Sequence, residues 1–403
     1  MKLFLREKFG TIKRYQEVLM NNFDFYCPTR IVFGKGSISR LSDLISNDKK
    51  ILLIYGGGSI KSNGVYDQVI SALAGKQFVE FSGIEPNPRY ETCMRAVELI
   101  KQENIDFLLA VGGGSVLDAT KFIAAAAKFD GQEPWDILSK SALVKDALPL
   151  ASVITLPATG SEMNGNSVIS RESTNEKLAF ASEKVYPVFS IIDPETTYSL
   201  PLRQTINGIV DTYVHVMEQY STFDVNTPLQ DQWALGLVKT LIPEALKVIE
   251  SPNDYEARAN IFWCATCGLN YWIALGCVQD WSTHMIGHEL TALYGLDHGQ
   301  TLAIVLPRLW ESQKASKVKK LAKLGREVFG YKGEDELAAA EFTIYATEEF
   351  FKSIGQKTRL ADYGIDSEEA AEKIAQRFKE KGIILGETGT IDYNVVYEIV
   401  KAC

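Results

Sequence analysis

The stretch IDFLLAVGGGSVLDATKFIAAAAKF, residues 105–129, decides the fold class. An apolar, β-prone run is followed by three glycines and a serine, and then by small and apolar residues with helical spacing. This order predicts a strand, a tight glycine turn and a helix. Strand and helix patterns alternate in the same way over residues 49–134, which favours a parallel sheet covered by helices.

A second turn of the same kind lies 56 residues earlier, since ILLIYGGGSI (51–60) matches FLLAVGGGSV (107–116) in pattern. Glycine lets the backbone approach a phosphate closely, and the free amides of a helix N-terminus point at it. Neither turn has GxGxxG spacing or is a P-loop. The alternative for each is a βα turn that binds no ligand. After the first turn, IKSNG predicts that the helix begins later.

The first turn indicates which cofactor would bind. A site that prefers NAD usually offers a carboxylate to the ribose 2′-hydroxyl. Here Gly58 and Ser59 follow the strand, with Lys61 beyond and no acid. Amides and a hydroxyl suit a 2′-phosphate, so the pattern predicts NADP(H).

The pattern changes near residue 200. Strand patterns continue to about residue 198, whereas helical spacing dominates from Pro201 onward. We therefore expect an α/β dinucleotide-binding domain at residues 21–199 and a helical domain at residues 200–403. The helices predicted first in that domain span residues 203–223, 228–250, 253–276, 281–294 and 300–313.

All four histidines lie in the helical half, within 84 residues of one another. Asp211 and His215 are four residues apart and share a helix face, as do His284 and His288. Three histidines and one aspartate can bind a divalent cation and leave room for a substrate. The alternative is four ordinary core or surface histidines.

His298 lies 14 residues after His284, about 21 Å away along an unbroken helix. Gly295 is a natural helix stop and Asp297 a natural N-cap, so the chain can turn there and bring His298 back. The spacing leaves two alternatives open: His284 ligates together with His288, or together with His298.

Bulk properties exclude several classes of protein. The net charge of −9 and a pI of about 5.2 argue against nucleic acid or an anionic membrane surface as partner. No apolar run reaches the roughly 18 residues of a membrane span, and no signal peptide is apparent. Six cysteines in 403 residues do not form a disulfide scaffold, which favours a reducing cytoplasm. Cys264 and Cys267 form a CxxC in an apolar helical segment, and we interpret them as buried structural residues.

Residues 1–20 are basic and end at a second methionine, Met20. We expect translation to start at Met20, because Gln-Glu-Val just upstream can be encoded by a purine-rich ribosome-binding sequence. A targeting peptide is the alternative, which Glu7, Glu17 and the scarcity of serine disfavour.

From residue 21 to about 400 the sequence resembles the iron-dependent (group III) alcohol dehydrogenases, most closely their NADPH-dependent butanol dehydrogenase and aldehyde reductase branch. The motifs that carry the resemblance are, in order, TRIVFGKG, YGGGS, GIEPNP, AVGGGSVLDATKFIA, LPATGSEMN, IIDPETTYSLP, GIVDTYVHVMEQY and DWSTHMIGHELTALYGLDHGQTLAIVLP. The resemblance implies an N-terminal, Rossmann-like α/β domain, an all-α C-terminal domain and a metal site in the cleft between them. It also implies a homodimer.

The resemblance further implies roles for particular residues. It makes Asp211, His215, His284 and His298 the ligands of one divalent metal, iron or zinc, and leaves His288 near the nicotinamide and substrate as a catalytic proton relay. The position that is aspartate in NAD-preferring members corresponds to Gly58. The residues implied for the cofactor are Gly56, Gly57, Gly58, Ser59, Asn87, Gly112, Gly113, Gly114, Ser115, Asp118, Thr155, Leu156, Thr159, Asn164 and Lys177.

The expected activity is metal-assisted hydride transfer between NADP(H) and a small aldehyde or primary alcohol of the butanal and butanol type. One alternative is another metal- and NAD-dependent enzyme of the superfamily, such as glycerol dehydrogenase or a dehydroquinate-synthase-like cyclase. The lack of an NAD-type acid disfavours it. The other is a non-catalytic nucleotide-binding protein, which the complete set of four metal ligands disfavours.

Overall fold

The strand and helix predicted around the second glycine turn are both present in the computed structural model, which describes residues 19–403. The strand is Phe107–Gly112 and the helix Gly114–Ala126. The N-terminal extension expected at residues 1–20 lies, up to residue 18, outside the described residues.

The N-terminal half is built on a six-stranded sheet in which every pair of neighbours is parallel, in the order β1-β8-β5-β4-β2-β3. Two further strands, β6 and β7, form a separate antiparallel hairpin. The strands are β1 (Arg30–Phe33), β2 (Lys50–Tyr55), β3 (Gln77–Phe81), β4 (Phe107–Gly112), β5 (Leu150–Ile154), β6 (Asn166–Arg171), β7 (Glu176–Ala181) and β8 (Phe189–Ile192).

Both faces of the sheet are buried, as expected for parallel strands that read as continuous apolar runs. Leu52 and Leu108 belong to the core on one face, together with Phe122 of the helix after the second glycine turn. Ile51 and Leu53 belong to the core on the other face, against Val69. The α/β class and the helical cover of the sheet are therefore confirmed.

The C-terminal half is helical and has a core of its own. The helices of the described residues are α1 (Leu41–Leu44), α2 (Ser59–Ser62), α3 (Val65–Ala72), α4 (Tyr90–Glu103), α5 (Gly114–Ala126), α6 (Asp136–Ser139), α7 (Leu202–Tyr220), α8 (Pro228–Glu250), α9 (Tyr255–Gly268), α10 (Ser282–Tyr294), α11 (His298–Glu327), α12 (Glu336–Ser353), α13 (Ser367–Lys381) and α14 (Tyr393–Lys401). None of them is both long and apolar enough to cross a membrane.

Three predicted bounds were wrong. The helix predicted at 253–276 ends at Gly268, and shortly afterwards Tyr271 takes a left-handed φ of 72° that no helix can include. The helix predicted at 300–313 begins at His298 and continues to Glu327, because Leu321 and Leu324 extend its buried face into the helical core. A one-turn helix begins at Ser59 itself, directly after the first glycine turn.

The two halves meet where α7 crosses the carboxyl end of the sheet. A Cβ built on Gly208 of α7 would lie 2.2 Å from the carbonyl oxygen of Pro157, in the loop after β5. Only glycine permits this approach. It brings α7 over the edge of the sheet at which parallel α/β folds bind their ligands.

Candidate metal and cofactor site

A cavity of about 910 Å³ lies between the carboxyl ends of the strands and the helices α7, α10 and α11. The predicted site residues that line it are Gly56, Gly57, Asn87, Gly113, Gly114, Ser115, Asp118, Leu156, Thr159, Asn164, Lys177, Asp211, His215, His284, His288 and His298. Gly58, Ser59, Gly112 and Thr155 adjoin these residues along the chain without lining the cavity. All four predicted metal ligands and most of the predicted cofactor residues thus face one space.

Three histidines converge on one carboxylate oxygen. The Nε2 atoms of His215, His284 and His298 lie 3.5, 3.6 and 3.5 Å from Oδ1 of Asp211. Ligand atoms about 2.1 Å from a tetrahedral ion are about 3.4 Å apart. The ligand atoms of Asp211, His284 and His298 all lie within 4.8 Å of one another.

The hydrogen bonding of these side chains supports an ion at this point. Oδ1 of Asp211 and Nε2 of His284 are buried and have no hydrogen-bond partner. Buried polar atoms are rarely left unpaired, because each costs about 1–3 kcal/mol. Two such atoms that face each other fit a divalent cation, which would satisfy both. His288 stands outside the group, with its ring centroid 6.3 Å from that of His284. Of the two alternatives from spacing, the geometry groups His284 with His298.

The protonation states of the group suit the same role. Burial opposes ionisation of Asp211, but the three imidazoles hold the pKa of its carboxyl well below its usual range. Burial lowers the pKa of His215 to about 4 and that of His298 well below its ordinary value. Burial alone would also lower the pKa of His284, but Glu218 and Asp211 raise it to about 9. The ionised carboxylate of Asp211 and the neutral imidazoles of His215 and His298 are metal-ligating forms. The raised pKa of His284 indicates that a positive charge is favoured between Asp211 and Glu218, and a bound cation would replace the proton there.

The turn predicted between His284 and His298 is present. Gly295 ends α10 with a left-handed φ of 69°, and its amide donates to Thr291 O. Asp297 starts α11 with a capping box, in which the side chain of Gln300 accepts from the Asp297 amide. The helix stop and the capping box reverse the direction of the chain, so that the first residue of α11, His298, faces Asp211.

The second glycine turn presents amides to the cavity at the start of α5. A Cβ built on Gly114 would lie 2.7 Å from the Thr159 hydroxyl, and one built on Gly113 would lie 3.3 Å from Leu156. Glycine is therefore required for the turn to pack against the loop after β5. The resulting arrangement leaves the first amides of a 13-residue helix free for a phosphate.

Lys177 and Asn87 connect the hairpin β6–β7 to this cavity. The Lys177 ammonium donates to Oδ1 of Asn87 over 2.8 Å. Burial lowers the pKa of Lys177 to about 8, although Asp118 and Asp211 favour its charged form. The lysine also contributes, after burial, to a pKa of His288 well below its ordinary value.

Known proteins resemble this chain over most of its length. A family profile described as iron-containing alcohol dehydrogenase matches residues 28–194, and the profile of the C-terminal part of Fe-containing alcohol dehydrogenases matches residues 205–403. The chain belongs to the iron-containing alcohol dehydrogenase family. The resemblance seen in the motifs is thereby confirmed.

Individual relatives are similar to this chain over almost its whole length. The NADPH-dependent aldehyde reductase YqhD of Escherichia coli is 48% identical over 95% of this chain and 100% of its own. NADP-dependent alcohol dehydrogenase 3 of Entamoeba histolytica is 43% identical over 95% and 99%. The crystal structure of E. coli YqhD superposes with a TM-score of 0.93. The crystal structure of the NADH-dependent butanol dehydrogenase A of Thermotoga maritima superposes with a TM-score of 0.90 and is 40% identical in sequence. Each superposition covers 95% of this chain and 99% of the other. The two-domain architecture is that of the family.

Sequence reasoning missed several residues of this family member's site. Lys121 is fully buried, and its ammonium donates to Ser161 Oγ, Asn164 Oδ1 and Asn166 O over 2.8 to 3.0 Å. It fixes the turn that carries Thr159 and Asn164 along the cavity. Its place in GGGSVLDATK, seven residues after Gly114, was the available signal.

An apolar wall lies beside the histidines. The Trp281 ring lies 5.3 Å from that of His284 and 6.1 Å from that of His215. Leu269, Met285 and Leu296 line the same cavity. Single apolar residues carry no signal of their own in a sequence, so only the fold places them at the site.

An acid does lie near the first glycine turn, which corrects the expectation drawn from the chain after β2. Glu80 comes from the neighbouring strand β3, and its carboxylate is 3.7 Å from the ammonium of Lys61. It also accepts from the hydroxyls of Tyr55 (2.6 Å) and Tyr66 (2.7 Å). These three groups engage Glu80, so its carboxylate is not free. Residue 58 itself is a glycine and adds no carboxylate to the turn.

Proposed function

We propose that this chain interconverts small aldehydes and primary alcohols, of the butanal and butanol type, by hydride transfer with NADP(H) and one divalent metal ion, iron or zinc. The observation that carries the proposal is the convergence of Asp211 with three histidine Nε2 atoms in the cavity that the second glycine turn also faces. The activities of the relatives named above support it.

The residues of the cavity divide into a reacting end and a binding end. Asp211, His215, His284 and His298 would hold the cation, and the glycine turns, Thr159 and Lys177 would hold the dinucleotide. When bound, the cation would supply a Lewis acid for the substrate oxygen, and reduced nicotinamide would supply the hydride. Trp281 and its apolar neighbours form an apolar wall at the reacting end, which would suit a short alkyl chain and would help to exclude water.

His288 is proposed as the group that passes a proton to or from the substrate oxygen. It lines the same cavity, its ring lies 5.3 Å from that of His298, and it stands outside the metal group. The variant His288→Ala should lower turnover and change its pH profile. A wild-type turnover and profile in that variant would exclude the role.

The cofactor preference is proposed from the first glycine turn. Gly58 offers no carboxylate, and Lys61 follows three residues later on the one-turn helix α2, with its ammonium 3.7 Å from Glu80. The relatives include enzymes named for either cofactor, such as the probable NADH-dependent butanol dehydrogenase 1 of Bacillus subtilis at 43% identity. The preference for NADP(H) therefore rests on this chain's own residues.

We further propose a homodimer that acts in the cytoplasm, with the domain boundary at residues 199/200. Strand β1 is an edge of the sheet among the described residues, and Phe33 on it packs against Trp263 with both rings about two-fifths exposed. An exposed strand edge with aromatic residues suits a second copy of the chain. Light scattering that gives one chain per particle would exclude the dimer.

The proposal of a cytoplasmic location rests on the cysteines. All six are free thiols, as in a reducing compartment.

Oxidation of NADPH by butanal tests the activity. The metal-replete protein is assayed beside a chelator-stripped sample, with NADH in parallel. We expect fast NADPH turnover that stripping abolishes and that one divalent metal restores. Asp211→Asn should remain inactive after metal is returned. Turnover that is unaffected by stripping, or absent with both cofactors in metal-loaded protein, would refute the proposal.

A further inference from the structure

Glu218, on the helix that also carries Asp211 and His215, is a buried acid with three donors around it. It lies seven residues after Asp211 and three after His215, so all three face the same side of α7. The Glu218 side chain is 3% exposed. Its Oε2 accepts from Nδ1 of His284, the ring nitrogen that points away from Asp211.

The other oxygen of Glu218 is bonded to the start of α10. Oε1 accepts from the amide of Thr283 over 2.6 Å and from that of His284 over 3.4 Å. These amides belong to the first turn of α10, and the residue before the helix, Trp281, contributes no side-chain cap. Glu218 thus supplies from another helix the acceptor that an N-cap would supply locally.

These contacts determine which nitrogen of His284 is available. A neutral imidazole, the form that binds a metal, is left with a lone pair on Nε2 when it donates from Nδ1 to a carboxylate. The Nε2 atom of His284 is the one that lies 3.6 Å from Asp211 Oδ1 and has no other partner. In protein metal sites, the partner of the second ring nitrogen fixes the ring's tautomer and orientation.

We propose that Glu218 is a positioning residue of the metal site, which fixes the tautomer of His284 and holds the first turn of α10 against α7. The inference rests on the proposed metal-dependent function. Its consequence is that one side chain aligns ligands from two helices, since Asp211 and His215 share its own helix and His284 is hydrogen bonded to it. Glu218 does not line the cavity and would act through His284.

The test is the Zn²⁺ affinity of Glu218→Gln, measured by competition with a chromophoric chelator. The amide keeps the size of the side chain but cannot accept from Nδ1 and from both helix amides together. We expect binding to weaken by about 10–100-fold, the usual effect of losing such a partner. Glu162→Gln is the matched control, because Glu162 is 2% exposed, accepts from the Thr266 hydroxyl and does not line the cavity. Its Zn²⁺ affinity should equal that of the wild type.

A second measurement is made on the wild type, and a variant is used only to assign its signals. The chain has only four histidines, so long-range ¹H–¹⁵N spectra of histidine-labelled, Zn²⁺-loaded protein can resolve each ring, with His284→Asn giving the assignment. We expect His284 to carry its proton on Nδ1. A proton on Nε2, or unchanged Zn²⁺ affinity in Glu218→Gln, would overturn the inference. Failure of the wild type to bind any divalent metal would overturn the proposed function as well, which separates the two results.

Discussion

Gly299, the second residue of α11, offers a direct test of how the metal site is aligned. A Cβ built on Gly299 would lie 2.6 Å from the carbonyl oxygen of Asn207 and 2.7 Å from its Cα, both in α7. These are backbone atoms in the middle of a helix, so they cannot move aside by rotating a side chain. Gly299→Ala must therefore push α11 away from α7.

The size of the displacement follows from the contact. Ordinary van der Waals contact begins at 3.4 Å, so the helices must separate by about 0.8 Å at this point. His298 directly precedes Gly299 and would be carried along, away from Asp211. Metal–ligand distances hold to within about 0.2 Å. We expect metal affinity to fall by about 10–100-fold and the free energy of unfolding by about 1–3 kcal/mol.

The control makes the same chemical change where there is space. Gly236 lies in α8, is exposed, and a Cβ there meets no atom within 4 Å. Gly236→Ala should raise stability by about 0.5–1 kcal/mol and leave metal affinity unchanged. Zn²⁺ competition and thermal unfolding of the metal-stripped proteins measure both quantities. If Gly299→Ala lost stability but bound Zn²⁺ as tightly as the wild type, the contact between α7 and α11 would not set the position of His298, and the reasoning would be wrong.

Three further predictions concern the cofactor and the substrate. Gly58→Asp should lower kcat/KM for NADPH relative to NADH by about 5–150-fold, because a carboxylate would repel the 2′-phosphate by about 1–3 kcal/mol. Gly58→Ala is the control, since it carries the same backbone strain at a φ of 107° and should affect both cofactors equally. Burial lowers the pKa of Lys177 to about 8, so its positive charge is lost as pH rises through that value. The Kd of NADPH should therefore increase between pH 7 and 9 in the wild type, and this increase should be absent in Lys177→Gln. Trp281→Ala should raise kcat/KM for benzaldehyde relative to butanal by about tenfold, because it removes an apolar wall beside His284; an unchanged ratio would place the substrate elsewhere in the cavity.

The parts of the site that could be predicted from sequence are those encoded locally. The glycine turns, the Asp211–His215 pair and the stop and cap at Gly295 and Asp297 are each contained within a few residues. Local backbone preference and helical spacing are sufficient to interpret them. The bounds that were wrong, such as the end of α9 at Gly268, depend on tertiary packing that competes with local propensity.

Contacts between elements could not be predicted in this way. Glu218 and His284 are 66 residues apart, and Glu80 approaches Lys61 only because β3 lies beside β2. Spacing shows which residues share a face of one helix, whereas the partner of that face depends on how the helices and strands pack. The spacing of Glu218 from His215 was visible in the sequence, but its hydrogen bond to another helix was not.

Glycines in helices show how sequence and packing are connected at this site. A glycine within a helix costs about 1 kcal/mol relative to alanine, so such positions appear unfavourable when a helix is considered alone. Yet a Cβ would meet Pro157 O at 2.2 Å from Gly208, Thr301 Oγ1 at 2.8 Å from Gly287 and Asn207 O at 2.6 Å from Gly299. These three glycines lie on α7, α10 and α11, the helices that carry Asp211 and the three converging histidines. Their local cost is offset by the close approach of the helices. This approach brings the three Nε2 atoms to within 3.6 Å of Asp211 Oδ1.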